Sequence, residues 1–276
     1  MSLISKLSRL VRALRPAAPL ALLLGLLGPA TAASEFRQDG VALRLVALPP
    51  DAAGRVRGAL EIQLEPGWKT YWIDPGPAGL APQLDFSRSE SLQAFDVEYP
   101  VPRRFQEGDL TSVGYLEPVA LPFEATSASP DKPLVRLDLL IGVCREICVP
   151  VQASLTAEPT AGLSAQAAVA AARAALPEPV PPIAGWTARS SPDGRSLRIT
   201  LPDASPHDAD IFVAAPAGWS LGQPRRVVLA GEAPGAAFDI AIERRPTPAG
   251  MPLAIAVLLT SGESARLSPS LIVEQP

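Results

Sequence analysis

The sequence has few of the residues on which most enzyme active sites depend. Among its 276 residues are one histidine, His207, and two cysteines, Cys144 and Cys148. The histidine lies in a turn-like segment, Pro206-His207-Asp208, which gives no support to a histidine-based catalytic triad. The sequence also lacks a glycine-rich phosphate loop and a dinucleotide-binding fingerprint. The cysteine pair is therefore the strongest candidate for chemistry.

The chain also has a small net charge and few aromatic side chains. The net charge is −4, which gives no argument for nucleic-acid binding, and aromatic residues make up 5% of the chain. Prolines, in contrast, number 32 and are scattered among short runs of alternating polarity. This pattern favours β-sandwiches with many turns, and the length suggests two domains.

Long hydrophobic runs are missing beyond the first thirty-odd residues. A basic segment with Arg9, Arg12 and Arg15 precedes an apolar core, Leu20 to Leu27, and the small residues Ala30-Thr31-Ala32 follow. Residues 1–33 are therefore predicted to be a secretory signal peptide, with an uncleaved anchor as the alternative. Elsewhere nothing approaches the ~20 apolar residues of a membrane span. The mature protein is expected to be exported, without a transmembrane segment, into an oxidising compartment that favours a disulfide.

Alternation with a period of two surrounds the cysteines. Apolar residues occupy the odd positions from Val135 to Val143 and from Val149 to Leu155, with polar residues between many of them. Two half-buried strands are indicated, with the odd positions on the core face. Since both cysteines are even-numbered, their sulfurs are predicted to lie together on the outer face of the sheet.

The spacing of the cysteines predicts a tight hairpin. In an antiparallel pair, directly opposed Cβ atoms lie ~4.5–5.5 Å apart, close to the separation that a disulfide requires. A three-residue hairpin usually has glycine at its left-handed position, whereas this one contains the β-branched Ile147. Two alternatives to a regular hairpin therefore stay open: the loop is irregular, or the strands end one residue earlier. Pro150 cannot donate to a ladder and indicates an edge strand, where a partner could dock.

The rest of the chain predicts an all-β protein in two parts. The first, residues 34–158, has about eight short strands; the second, residues 185–276, is predicted to be a smaller β-sandwich. Residues 159–184 between them comprise an alanine-rich helix, Leu163 to Leu176, and a proline-rich linker. Pro100 to Leu116 is predicted to be a long loop, which is either functional, as loops of this length often are, or a surface crossover.

Three interpretations of the cysteine pair stay open on the residues alone. Two outward-facing cysteines suit thiol–disulfide exchange, which needs an accessible thiolate and a resolving partner. A structural disulfide in a binding or scaffold protein is the second, and a reduction potential below about −300 mV would favour it. The third is a copper site, for which the sequence shows no further ligand nearby.

The two carboxylates Glu107 and Asp109 are interpreted as solvated charges.

Several motifs in fixed order resemble the N-terminal periplasmic domain of the thiol:disulfide interchange protein DsbD, in the version found in DsbD-like and ScsB-like proteins. The motifs are Gly67-Trp-Lys-Thr-Tyr-Trp72, Gly79 to Phe86, Tyr99-Pro-Val-Pro-Arg-Arg-Phe105, Gly114-Tyr115 and Gly142-Val-Cys-Arg-Glu-Ile-Cys-Val-Pro150. The resemblance covers about residues 36–158. It implies an immunoglobulin-like sandwich whose cysteine pair carries electrons, with neither cofactor nor metal.

The resemblance also implies roles for individual residues. Cys148 matches the cysteine that exchanges with partners, and Cys144 matches the resolving one. A cap loop over the disulfide falls within Phe105 to Tyr115, with Leu110 nearest the capping position, where the family has an aromatic residue. The residues implied in the cap and in partner contact are Tyr71, Phe105, Asp109, Leu110 and Tyr115.

The implied partners are thioredoxin-like periplasmic proteins and a membrane-embedded thiol reductase, with copper tolerance as an associated role. Localisation in the periplasm follows from the same resemblance and from the predicted signal. The full family also has a multi-span membrane domain and a thioredoxin motif that this sequence lacks. The electron donor is therefore expected to be a separate protein, unless the module no longer transfers electrons.

Overall fold

The computed structural model describes residues 33–127, 132–228, 235–246 and 253–275. The predicted signal peptide, apart from its last residue Ala33, lies outside these residues. Within the described ranges, no helix is long and apolar enough to cross a bilayer. Residues 32–276 form one compact unit.

The first part of the chain, up to residue 157, forms two antiparallel sheets. One has the strand order β1-β2-β3-β9-β6, and the other has the order β11-β10-β4-β8-β7, with β5 also paired to β10. The strands are β1 (Glu35–Gln38), β2 (Val41–Ala47), β3 (Arg55–Leu64), β4 (Lys69–Tyr71), β5 (Gln83–Asp85), β6 (Leu92–Val97), β7 (Arg103–Glu107), β8 (Leu110–Tyr115), β9 (Val119–Ser127), β10 (Val135–Cys144) and β11 (Cys148–Ala157).

The alternating residues of these strands build the core between the two sheets. On β10, the odd positions Val135 to Val143 are all buried, as predicted from their parity. They meet buried residues of β3 and β9, including Leu60, Leu121 and Phe123. The predicted all-β class and the core face of the strands around the cysteines are therefore confirmed.

The predicted cysteine hairpin is present. β10 and β11 pair without a register shift, from Val135 opposite Ala157 to Cys144 opposite Cys148. The strands reach both cysteines, and the three loop residues between them bend without a positive φ, so the β-branched Ile147 is accommodated. β11 lies at the edge of its sheet, as Pro150 indicated.

The prediction of a long loop from Pro100 to Leu116 is wrong. Most of this segment is the β7–β8 hairpin, in which Arg103 pairs with Gly114 and Glu107 with Leu110 around a turn at Gly108 and Asp109. Mixed charge hid the strands, because β7 is a partly exposed edge strand whose Arg104 and Glu107 side chains are held by ion pairs and not by apolar packing.

The predicted alanine-rich helix is α1 (Leu163–Ala174). Its buried residues Ala165, Val169 and Ala172 pack against Val46 and Ala59 on the outside of the first sheet. Small side chains on this face let the helix lie close to the strands. The helix ends before Pro177, as expected for a residue that cannot continue a helix.

A third sheet is formed by the part of the chain that follows the helix. Its strand order is β15-β19-β20-β13-β14-β18-β16, with β12 paired to β20 and β17 paired to β18. The strands are β12 (Glu178–Pro179), β13 (Thr187–Ser190), β14 (Ser196–Leu201), β15 (Asp210–Ala214), β16 (Ser220–Leu221), β17 (Arg225–Val227), β18 (Ala236–Arg244), β19 (Ala254–Ser261) and β20 (Ser264–Glu274).

The third sheet contributes to two cores. Its own core includes Leu197, Ile199 and Ile240. Phe212 of β15 and Leu258 of β19 belong instead to the core of the first two sheets, where the Phe212 ring meets Trp72 edge-on at 6.1 Å. The segment that follows β4 therefore contacts the third sheet directly.

We expect Leu60→Ala to lower the free energy of unfolding by about 2–5 kcal/mol, because it leaves a cavity at a fully buried position of β3. Gln63→Ala on the same strand removes an exposed side chain and should change it by no more than about 0.5 kcal/mol. Urea unfolding followed by tryptophan fluorescence measures both. Equal losses in the two variants would contradict this account of the core.

Candidate functional site

The two cysteines form a disulfide at the loop end of the β10–β11 hairpin, with their Cα atoms 4.1 Å apart. As the parity predicted, the bridge lies on the outer face of the sheet and away from the core between the sheets. The two sulfurs differ in environment, because Cys148 is exposed whereas Cys144 is only 1% exposed. Cys144 is therefore covered on the outer face, which the parity of its position did not predict.

Tyr71 of β4 covers the disulfide. Its hydroxyl lies 3.0 Å from Cys144 Sγ and 3.1 Å from Cys148 Sγ. β4 pairs with β10 beside Cys144, so alternation directs Tyr71 to the outer face and Trp72 to the core.

Two glycines make room for the Tyr71 ring. A Cβ atom at either Gly79 or Gly142 would come within 2.8 Å of a Tyr71 ring carbon. Both glycines belong to the motifs that carry the resemblance noted in the sequence. Their structural role here is to let the ring lie flat between the chain segments, which fixes the hydroxyl over the sulfurs.

Glu107 of β7 is the second polar group over the disulfide. Its carboxylate accepts hydrogen bonds from Tyr71 at 3.0 Å and Ser112 at 2.5 Å, and it forms an ion pair with Lys69 at 3.0 Å. Glu107 Oε1 lies 3.9 Å from Cys148 Sγ. The Glu107 side chain is only 14% exposed, so the interpretation of this residue as a solvated charge is wrong.

The charge states in this network follow from its contacts. Burial acts to raise the pKa of Glu107, but hydrogen bonds from Ser112, Lys69 and Tyr71 and the charge of Lys69 outweigh it, so the pKa is lowered. Burial, followed by the hydrogen bond with Glu107 and its negative charge, raises the pKa of Tyr71 well above its ordinary value. At neutral pH the site therefore holds a carboxylate and a protonated phenol, whose single proton can be donated to Glu107 or to a sulfur.

The predicted cap residues occupy different positions around this network. The Phe105 ring lies 6.1 Å from the Tyr71 ring, with Lys69 Nζ 4.8 Å above it. Leu110 is 45% exposed and pairs with Glu107 across the hairpin, so both side chains are on the face that meets Tyr71. Asp109 is exposed at the turn between them.

Tyr115 belongs to the core. It is 7% exposed, and its hydroxyl donates to the carbonyl of Pro100 at 2.9 Å. Its part in the site is indirect, because β8, the strand it ends, pairs with β4 at Thr70 and Tyr71. The structure therefore brings Tyr71 and Phe105 to the disulfide and places Tyr115 behind them.

Sequence reasoning missed Glu107, Lys69 and Ser112 as site residues. They lie together because β4, β7 and β8 are neighbours in the second sheet. The signal that could have found them is the alternation of Phe105 and Glu107, which predicts a strand with both side chains on one face.

A metal ion would find three ligand atoms here only after reduction of the disulfide. Ligand atoms of Glu107, Cys144 and Cys148 lie within 4.8 Å of one another. Copper(I) prefers soft sulfur ligands, and the third ligand offered here is a hard carboxylate oxygen already paired with Lys69. The group fits copper poorly in this arrangement.

Comparison with known proteins identifies a matching family and similar solved structures. Residues 41–160 match the family model described as thiol:disulfide interchange protein DsbD, N-terminal. The crystal structure of the N-terminal periplasmic domain of ScsB from Proteus mirabilis is similar with a TM-score of 0.67 and 23% sequence identity, covering 88% of this chain and 98% of that chain. A search of curated proteins found no match.

At this identity the structural likeness establishes the fold, and the immunoglobulin-like all-β class is confirmed. The family model supplies the relationship independently of the fold, over the stretch that carries both cysteines. Residues 41–160, somewhat less than half of the chain, therefore match the DsbD N-terminal family, as the order of the sequence motifs predicted.

Proposed function

We propose that this protein is a periplasmic thiol–disulfide exchange module. It passes reducing equivalents between a membrane-embedded or thioredoxin-like donor and periplasmic partner proteins through Cys144 and Cys148. The observation that carries the proposal is the unequal exposure of the two sulfurs, since Cys148 is exposed and Cys144 is buried beneath Tyr71. Exchange needs one sulfur that a partner can reach and a second one held beside it.

The reaction can be written for the reduced protein meeting an oxidised partner. The Cys148 thiolate attacks one sulfur of the partner's disulfide, and the other partner sulfur leaves as a thiolate, giving a mixed disulfide. The Cys144 thiolate then attacks Cys148 Sγ, re-forms the Cys144–Cys148 bond and releases the partner's remaining cysteine as a thiolate. Two electrons pass to the partner, and its two thiolates take up the protons that the two cysteine thiols lost.

Tyr71 and Glu107 affect how readily each sulfur forms a thiolate and reacts. The Tyr71 hydroxyl is within hydrogen-bond distance of both sulfurs and of the carboxylate, so it can donate to a thiolate once one forms. The Glu107 carboxylate, 3.9 Å from Cys148 Sγ, disfavours a thiolate there. The Glu107 charge therefore slows the reaction of the closed site with other anions.

A scaffold with an inert disulfide accounts for fewer of these contacts. The bridge closes a loop of three residues and so adds little chain-entropy stabilisation. A purely structural bridge also has no need of a phenol, a carboxylate and an ammonium group arranged over its sulfurs. Exchange accounts for both the position and the surroundings of the pair.

The two single-cysteine variants should differ strongly in reactivity. Cys144→Ser leaves the exposed Cys148 free, whereas Cys148→Ser leaves the buried Cys144 free. We expect the first to form a mixed disulfide with oxidised thioredoxin at least about tenfold faster than the second, because a buried thiol is not accessible to a protein partner. Non-reducing gels and mass spectrometry of the folded variants measure this rate, and each variant is the other's control. Equal trapping by both, or none by either, would contradict the proposal.

Removal of the Glu107 charge should make Cys148 more reactive. In the Cys144→Ser background, we expect Glu107→Gln to raise the rate of alkylation by iodoacetamide at pH 7 by about threefold to tenfold, because the thiolate no longer faces an anion. The pKa of Glu107 is lowered, so the carboxylate is negative throughout pH 6–9 and the whole pH–rate profile should move to lower pH.

Asp109→Asn is the matched control for this experiment. It removes the same charge from the same hairpin, but at an exposed position of the turn. Its pH–rate profile should coincide with that of the Cys144→Ser parent. If Glu107→Gln and Asp109→Asn gave the same shift, the effect would come from net charge and not from the contact with Cys148.

A further inference from the structure

The β7–β8 hairpin has two faces that meet different parts of the molecule. Phe105 and Glu107 are two residues apart on β7, so their side chains share a face, which contacts Tyr71 over the disulfide. Arg104 directly precedes Phe105 on the same strand, so its side chain points to the opposite face. The hairpin therefore lies between the disulfide on one side and the contact partners of Arg104 on the other.

Arg104 contacts β15 of the third sheet. Its guanidinium forms an ion pair with Asp210 and donates a hydrogen bond to the carbonyl of Ile211. The same group lies over the Phe212 ring, 4.2 Å from the centroid. Three successive residues of β15 are engaged by one side chain, which makes this a specific attachment point for the hairpin.

The segment that follows Tyr71 is attached to the same part of the third sheet. Trp72 packs edge-on against Phe212, with ring centroids 6.1 Å apart. The Asp74 carboxylate accepts hydrogen bonds from the amides of Gly76 and Ala215, the residue directly after β15. The third sheet therefore holds both the strand that carries Glu107 and the strand that carries Tyr71.

We propose that Arg104 is a positioning residue and that β15 acts as a brace on the disulfide cap. The contacts of Arg104 with Asp210, Ile211 and Phe212 hold the hairpin closed over Cys144 and Cys148 and so set the rate at which the bridge reacts. This inference deepens the proposed function, on which it rests, and assigns a part in it to the third sheet.

The expected direction follows from the groups that the hairpin places over the sulfurs. An attacking thiolate that approaches Cys148 meets the Glu107 carboxylate, and the leaving Cys144 sulfur is covered by Tyr71. Displacement of the hairpin moves the carboxylate away and uncovers the bridge. Loss of the brace should therefore speed the reaction of the disulfide even with a small reagent that needs no docking surface.

The test uses the full oxidised chain and dithiothreitol as the reagent. One dithiothreitol thiolate attacks Cys148 Sγ, Cys144 leaves as a thiolate, and the second thiol closes the reagent's own disulfide and releases Cys148. We expect Arg104→Gln to raise the reduction rate by about fivefold to tenfold, the equivalent of losing one ordinary hydrogen bond. Asp210→Asn should give a smaller rise, because Arg104 keeps its contacts with Ile211 and Phe212.

Arg198→Gln is the matched control. Arg198 forms a comparable ion pair with Asp239, 2.7 Å long, between β14 and β18 of the third sheet. Its loss should leave the reduction rate within about twofold of the parent, as expected for an exposed ion pair outside the brace. Hydrogen exchange should speed up at the amides of residues 103–115 in Arg104→Gln and not in Arg198→Gln.

The inference would be overturned if neither Arg104→Gln nor Asp210→Asn changed the reduction rate. It would also be overturned if Arg198→Gln raised that rate as much as Arg104→Gln does. Faster reduction in Arg104→Gln without faster amide exchange in the hairpin would also overturn it, because the effect would then not come from movement. Near-ultraviolet circular dichroism establishes that each variant is folded before its rate is compared. Since dithiothreitol needs no partner site, failure here is distinguishable from failure to trap thioredoxin, which tests the proposed function.

Discussion

The structure around the site depends on one constraint, the alternation of side chains along β10 and β11. Because the odd positions must be buried between the sheets, the even-numbered Cys144 and Cys148 are both placed on the outer face. A slip of one residue in the register would turn both sulfurs into the core. The same alternation on β4 sends Tyr71 outward to the sulfurs and Trp72 inward to the core.

The outer face is not left open. The β7–β8 hairpin and Tyr71 form a small polar layer over the disulfide, in which the Glu107 carboxylate is held by Lys69, Ser112 and Tyr71. Buried polar groups are costly unless they are paired, so this network is stable only while the hairpin is closed. The arrangement protects Cys144 and leaves Cys148 accessible, which is the asymmetry that two-step thiol exchange requires.

The third sheet extends this layered arrangement. Arg104 connects the outer side of the hairpin to β15, and Phe212 contacts Trp72 beside the residue that covers the sulfurs. In this interpretation the two β regions are functionally linked through a few side chains. Their division into separate domains at residues 159–184 stays a prediction from composition.

Period-two alternation and motif order are local properties of the chain. They were enough to predict the all-β class, the strands around the cysteines, their shared outer face and the family resemblance. Three features could be seen only in the folded molecule: Cys144 is buried, Pro100 to Leu116 is largely a hairpin, and Glu107 lies beside Cys148. These features arise where strands distant in sequence become neighbours. A residue's exposure and charge environment depend on those neighbours, which no local pattern specifies.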